Sequence, residues 1–336
     1  MKNPKKAFIP EAVIRTFHDA ARLSFDLFKI MVPIIIVIKI VQELGLIPYL
    51  AVPLAPVMEI VGLPGEMGLV WATAILNNLY GAMIVLISLA GDAPLTTAQS
   101  TVLCTMMLVA HSLPLELKIA QASGPRLLFQ AVSRLGSAMT LGWLLHFSYT
   151  RLGLSQEPMT ILFQPGGGPA APGQSLLSWA SGEVRNLIAV FLIILALFLL
   201  MRLLQKWGVI DLMNRVLRPL LKGMGIGPKA SAIAVIGLTL GISYGGGFII
   251  QEAKSGRIDK KDVFFCLTLM GLSHSLVEDT LLMMMVGGHL SGLLFARLIF
   301  SFLFVALIVK ATVHLPQAFC DRFLWGEPRR VSGLHS

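Results

Sequence analysis

The sequence predicts an all-α integral membrane protein: two inverted-topology repeats, with re-entrant hairpins and broken transmembrane helices. Three observations predict it. The chain is too apolar for water, it repeats itself at a fixed offset, and equivalent loops of the two repeats carry opposite charge character. Of 336 residues, 55% are hydrophobic and 13% charged, and the mean hydropathy is +0.78. A soluble domain carries about 25% charged residues. A surface this poor in polar groups needs lipid as solvent, and several apolar stretches approach the ~20 residues that cross a ~30 Å hydrocarbon layer.

The repeat sets the frame. His111-Ser112-Leu113 recurs as His274-Ser275-Leu276, an offset of 274 − 111 = 163. The same offset maps Gly45 onto Gly208, Pro56 onto Pro219, Gly62 onto Gly225, Glu116 onto Asp279 and Arg134 onto Arg297. Tyr80-Gly81 maps onto Tyr244-Gly245 with a slip of one. Matches in one order, all within one residue of one offset, exclude coincidence. The repeats span 26–150 and 186–313. Residues 1–25 read as an amphipathic helix at the inner interface. Residues 151–185 form a linker outside, rich in Gly, Pro and Ser, with Pro165-Gly166-Gly167-Gly168-Pro169 at its centre. Residues 314–336 form a cytoplasmic tail.

Each repeat has five parts in order. An apolar segment comes first (26–44; 186–206), then a short piece with helical apolar spacing (47–61; 210–222). The third part (66–90; 229–250) is broken near its middle by Asn77-Asn78-Leu79-Tyr80-Gly81 or by Ile242-Ser243-Tyr244-Gly245-Gly246-Gly247. The fourth (97–122; 262–287) is broken by the His-Ser-Leu motif, and the fifth (126–150; 290–312) carries Arg134 or Arg297. Gly and Asn are poor helix formers, and Pro114 inside an apolar run opens a helix. Unpaired backbone at membrane depth is tolerated only in protein or beside a wet cavity.

Charge orients the repeats. The loop after the third part is Gly91-Asp92-Ala93-Pro94 in repeat 1, and Lys254-Ser255-Gly256-Arg257-Ile258-Asp259-Lys260-Lys261 in repeat 2. Basic loops stay in the cytoplasm, so the second is inside and the first outside. Three crossings plus a hairpin per repeat satisfy every basic cluster, including Arg322, Arg329 and Arg330; five crossings keep the same parity. Both termini fall in the cytoplasm, and the setting is a bacterial inner membrane. The net charge of +9 belongs to these anchors, and no basic stripe interleaved with aromatics speaks for nucleic acid. The three cysteines have no metal-ligand spacing.

Intramembrane ionisable groups mark function. They are His111 and Glu116 in repeat 1 and His274, Glu278 and Asp279 in repeat 2. His274 and Glu278 share a face if the helix persists between them. Arg134 and Arg297 read as a structural charge pair, Met283-Met284-Met285 as packing, and His289 as a loop end. Ser-His neighbours point about 100° apart on a helix, which argues against nucleophile and base; an enzyme is not expected.

This pattern resembles the nucleoside-recognition, or Gate, domain proteins. That superfamily includes concentrative nucleoside transporters, the membrane part of ferrous-iron transport protein B, and spore maturation proteins A and B. The resemblance covers most of residues 30–312. It implies a substrate site between the hairpin tips and unwound helices of the two repeats. Asn77, Asn78, Tyr80, His111, Ser112 and Glu116 would then face Ser243, Tyr244, His274, Ser275, Glu278 and Asp279. The chain lacks the GTPase domain of the iron transporter and is shorter than a typical nucleoside transporter, so the substrate does not carry over. The function expected is a secondary-type transporter of a small polar or charged solute, nucleoside-like or metal ion. The alternative is a non-transporting partner-binding or signalling component. No organic cofactor is expected; H+ or Na+ coupling is compatible with the titratable groups, and self-association with the composition.

Overall fold

The computed structural model describes residues 8–90, 94–162, 175–241 and 249–328, and these are helical with no strand among them. The helices, in order, are α1 (Phe8–Glu43), α2 (Ile47–Ala51), α3 (Ala55–Ile60), α4 (Met67–Leu76), α5 (Leu79–Leu89), α6 (Thr97–Val109), α7 (Leu113–Ser123) and α8 (Leu127–Leu152). They continue as α9 (Leu176–Lys206), α10 (Val209–Gly223), α11 (Pro228–Leu240), α12 (Lys260–Leu272), α13 (Glu278–Met284), α14 (Arg297–His314) and α15 (Gln317–Phe323). A π-helical stretch, Ser291–Ala296, leads into α14. Residues 249–254 are also helical.

Both expected breaks of the first half are present. Leu76 ends α4 and Leu79 starts α5, and the Asn78 side chain caps the new helix by accepting from the Gly81 N–H at 2.8 Å. Val109 ends α6 and Leu113 starts α7. In the second half, α12 and α13 flank the His274 break. The Gly-rich break at 242–247 lies outside the described residues, and so do Ser243 and Tyr244. α6 and α12 begin and end 163 residues apart, at 97 and 260 and at 109 and 272. Ser112 and Ser275 both adopt left-handed backbone, at φ 49° and 44°.

Three helical stretches are long and apolar enough to cross a membrane: Thr97–Ser123, Leu176–Lys206 and Ser291–His314. The segments expected to cross at 26–44, 126–150 and 262–287 fall outside that set among the described residues; the first two are helical, and the third is divided between α12 and α13, each too short to span alone. For α8 the reason is its inner stripe. Gln130, Ser133, Arg134 and Ser137 are buried, while Leu128, Val132, Trp143 and Phe147 are exposed. On α14, Ile299, Leu303 and Leu307 are each more than 60% exposed, and Arg297 and Ser301 are fully buried. Polar inside and apolar outside reverses the pattern of a water-soluble helix, and such a surface is suited to lipid. The helix expected over 1–25 is not separate: α1 runs unbroken through Pro33 to Glu43.

The polar loops collect at two ends. At one end the Gln99 side chain donates to Gly62 O at 2.9 Å, Thr97 N to Glu157 O, and Ser100 Oγ to Val286 O. At the other, Arg126 N donates to Leu324 O, Gly227 N to Asp262, and Lys260 pairs with Glu327. α1 and α9 run antiparallel: Arg202, near the end of α9, pairs with Asp19, and Lys39, near the end of α1, lies over the Trp179 ring. α6 starts at the first end and α12 at the second. The C-terminal ends of these two helices therefore approach each other in mid-molecule, between two apolar clusters. Gln130 of α8 ties the halves together through Thr268 of α12 at 2.9 Å.

Candidate functional site

Where α6 stops, Ala110 and the left-handed Ser112 turn the backbone so that His111 points inward. Ser112 anchors the turn, its N–H donating to Ala74 O at 2.9 Å and its hydroxyl to Asn77 O at 2.8 Å. The two breaks of the first half thus hold each other. Beyond α12, Ser275 makes the same turn, and Leu276 N donates to Leu238 O at 2.9 Å.

These turns bring His111 and His274 together with Nε2 atoms 3.1 Å apart. Glu116, from the first turn of α7, places Oε1 3.6 Å from His111 Nε2 and 3.4 Å from His274 Nε2. All three residues are buried. His111 Nδ1 contacts Met107 O at 3.0 Å, and His274 Nδ1 contacts Met270 O at 2.8 Å. A carbonyl can only accept, so each Nδ1 carries the hydrogen and each neutral ring presents Nε2 as an acceptor. Two acceptors and a carboxylate oxygen facing one point have the chemistry to take up a cation, a proton or a metal ion.

Arg134 completes the first half of the site. It donates to Glu116 Oε2 at 2.5 Å, to Val109 O at 2.9 Å and to His111 O at 3.0 Å. It neutralises Glu116, holds the loose carbonyls at the end of α6, and leaves Oε1 free for the histidines. The second half differs. Arg297 is fully buried, touches Thr280 Oγ1 only at 3.5 Å, and has no protein partner on Nε or Nη1. Asp279 Oδ2 is likewise buried without a protein partner.

The expected residues that are among the described ones divide into groups. His111, His274 and Glu116 form the centre. Asn77, Asn78, Ser112 and Ser275 build the breaks around it. Glu278 and Tyr80 stand apart: the Tyr80 hydroxyl lies beside Glu278, which lines a cavity of about 650 Å³ between α1 and α9 with Asp19, Arg22, Asp26 and Arg202. Asp279 is buried beside Arg297 and within reach of the Glu116 charge. The shared face expected for His274 and Glu278 does not form, because the helix stops at Leu272 and resumes only at Glu278. The carboxylate that reaches His274 comes from the other half of the chain. Sequence reasoning gave Arg134 a charge pair but not its place in this centre.

An all-helical membrane protein with broken helices meeting at a buried, ionisable centre is the class these observations define. Residues 187–290 match the Gate family, described as nucleoside recognition. That stretch contains His274, Ser275, Glu278 and Asp279, while His111 and Glu116 precede it. The chain is also similar to the uncharacterized membrane protein YvoD of Bacillus subtilis, 22% identical over 274 residues, covering 82% of this chain and 86% of the relative. No solved structure matches.

Proposed function

We propose that the protein is a secondary-type transporter of a small polar or charged solute, with its site between two halves that are inverted copies of each other. One observation carries this reading: equivalent helices enter from opposite ends and break at the same motif, and the two broken ends meet at the buried histidine pair. Discontinuous helices meeting at mid-depth, at the interface of inverted repeats, are the build of secondary transporters. The antiparallel α1 and α9 support the inversion.

The path of α4 and α5 supports a re-entrant hairpin in the first half. α4 begins against the α2–α3 segment after α1, where Gly68 lies against the Leu54 side chain. α5 returns to the end of α1, where the Gln42 side chain donates to Ser88 O at 3.3 Å. The charged cavity that Glu278 lines lies on the side where α1 starts and α9 ends. In this reading that side is the cytoplasm of a bacterial cell, both termini lie there, and H+ or Na+ serves as the coupling ion.

Uptake and counterflow in proteoliposomes test the reading, with nucleosides, amino acids and divalent cations as probes. Flux of at least one is expected, lost in Glu278→Ala and Asp279→Ala proteins that remain folded. Absence of flux for every probe with intact protein would sink it.

A further inference from the structure

The histidine pair has a geometry that a proton does not require. The atoms His111 Nε2, His274 Nε2 and Glu116 Oε1 form a triangle with sides of 3.1, 3.4 and 3.6 Å. The point equidistant from its corners lies about 2.0 Å from each, the length of Zn–N and Zn–O bonds. From these distances we infer that His111, His274 and Glu116 bind one divalent transition-metal ion. This deepens the functional reading above, since it names a ligand class for that same site.

Further observations favour the ion. The three groups are the one cluster of His, Cys, Asp or Glu side chains among the described residues whose donor atoms all lie within 4.8 Å of one another. Both imidazoles are already oriented for ligation by Nδ1–H donation to Met107 O and Met270 O, the outer-shell support that metal-bound histidine ordinarily has. Arg134 takes Oε2 of Glu116, so Oε1 is presented as a monodentate ligand. Two nitrogens and one oxygen select zinc, iron, cobalt or nickel over the hard ions sodium, magnesium and calcium, which prefer all-oxygen shells. Three protein ligands leave a fourth tetrahedral position, the mark of a site that exchanges water or cargo.

The ligands come from both halves of the chain. An ion therefore fastens α6 to α12 at their broken ends, and releasing it frees the halves from each other at that point. An ion held there permanently and an ion carried across need the same ligands, and the experiment separates them.

The purified full-length protein, stripped with chelator, is titrated with Zn²⁺ and with Co²⁺. One equivalent per chain is expected, with visible cobalt bands of a four-coordinate site and no competition from Mg²⁺ or Na⁺. X-ray absorption of the zinc-loaded wild type should show two imidazoles in an N/O shell at about 2.0 Å and no sulfur; that readout needs no variant. His111→Ala and His274→Ala should each weaken zinc binding at least ~10-fold, while His314→Ala, an exposed residue far along α14, should not. A sulfur shell, no stoichiometric binding by folded wild type, or full binding in both histidine variants would overturn the inference. Zinc entry into dye-loaded proteoliposomes identifies cargo; bound zinc that does not cross identifies a resident ion. Flux of another solute without metal binding would remove the metal and keep the transporter, and metal binding without any flux would do the reverse.

Discussion

Arg134 divides its donors among one carboxylate and two carbonyls, and all three acceptors belong to the break after α6. Removing it orphans a buried charge, which costs about 3–5 kcal/mol. Arg134→Ala should lower the thermal midpoint sharply, and Glu116→Ala added to it should restore part of the loss; simple additivity would refute the coupling. Ser112 and Ser275 raise a different matter, because left-handed backbone is costly for a β-branched side chain. Ser275→Val should cost about 1–3 kcal/mol, and Ser275→Gly should be close to neutral; equal melting curves for the two variants would exclude a backbone cause. The motif itself was legible, since a tripeptide repeated at one offset stands out without any structure. Its decisive contact was not. Glu116 and His274 belong to different halves, and the nearer guess, His274 with Glu278, assumed a helix that Ser275 interrupts.

At the scale of elements, the α4–α5 break depends on one cap. Asn78→Ala should cost roughly 1 kcal/mol of stability, and Asn78→Asp should retain most of it; denaturant titration in detergent reads the difference. The outer face of α14 makes the opposite demand. Leu303→Asp places a charge where hydrocarbon is expected, at ~2.5–3.5 kcal/mol near a helix centre, and membrane yield should fall, whereas the same change at exposed Gln317 should be silent. The bounds of the fourth part of each repeat are legible to within three residues, 97–122 against 97–123 and 262–287 against 260–284. α8 could not be read as easily, because a stripe of Gln, Ser and Arg lowers its average apolarity while pointing inward, and average hydropathy does not record direction. The continuity of α1 was hidden for a related reason. Thr16, Ala20 and Ser24 are buried and continue its packed face before residue 26, but small residues give little hydrophobic signal.

For the molecule as a whole, the two loop clusters should be reachable from opposite faces of the membrane. In a background with Cys104, Cys266 and Cys320 replaced, Glu157→Cys and Lys254→Cys should react with an impermeant reagent from opposite sides; labelling from one side alone would dismantle the two-sided arrangement. What one sequence could convey was that the halves match. It could not convey where they stop matching, since that depends on distances between groups rather than their identities. Arg297 marks the place. Its counterpart is fully engaged, yet Arg297 has two donor atoms with no protein acceptor, beside an acidic residue in the same condition. A guanidinium in that position is a debt carried by this particular shape. Arg297→Met gives up no hydrogen bond at Nε or Nη1 but leaves the neighbouring Asp279 without its cation, so it should lower the melting point, though less than Arg134→Met does: the same residue in the same motif, anchoring one half and held more loosely in the other, like a rope not yet pulled taut.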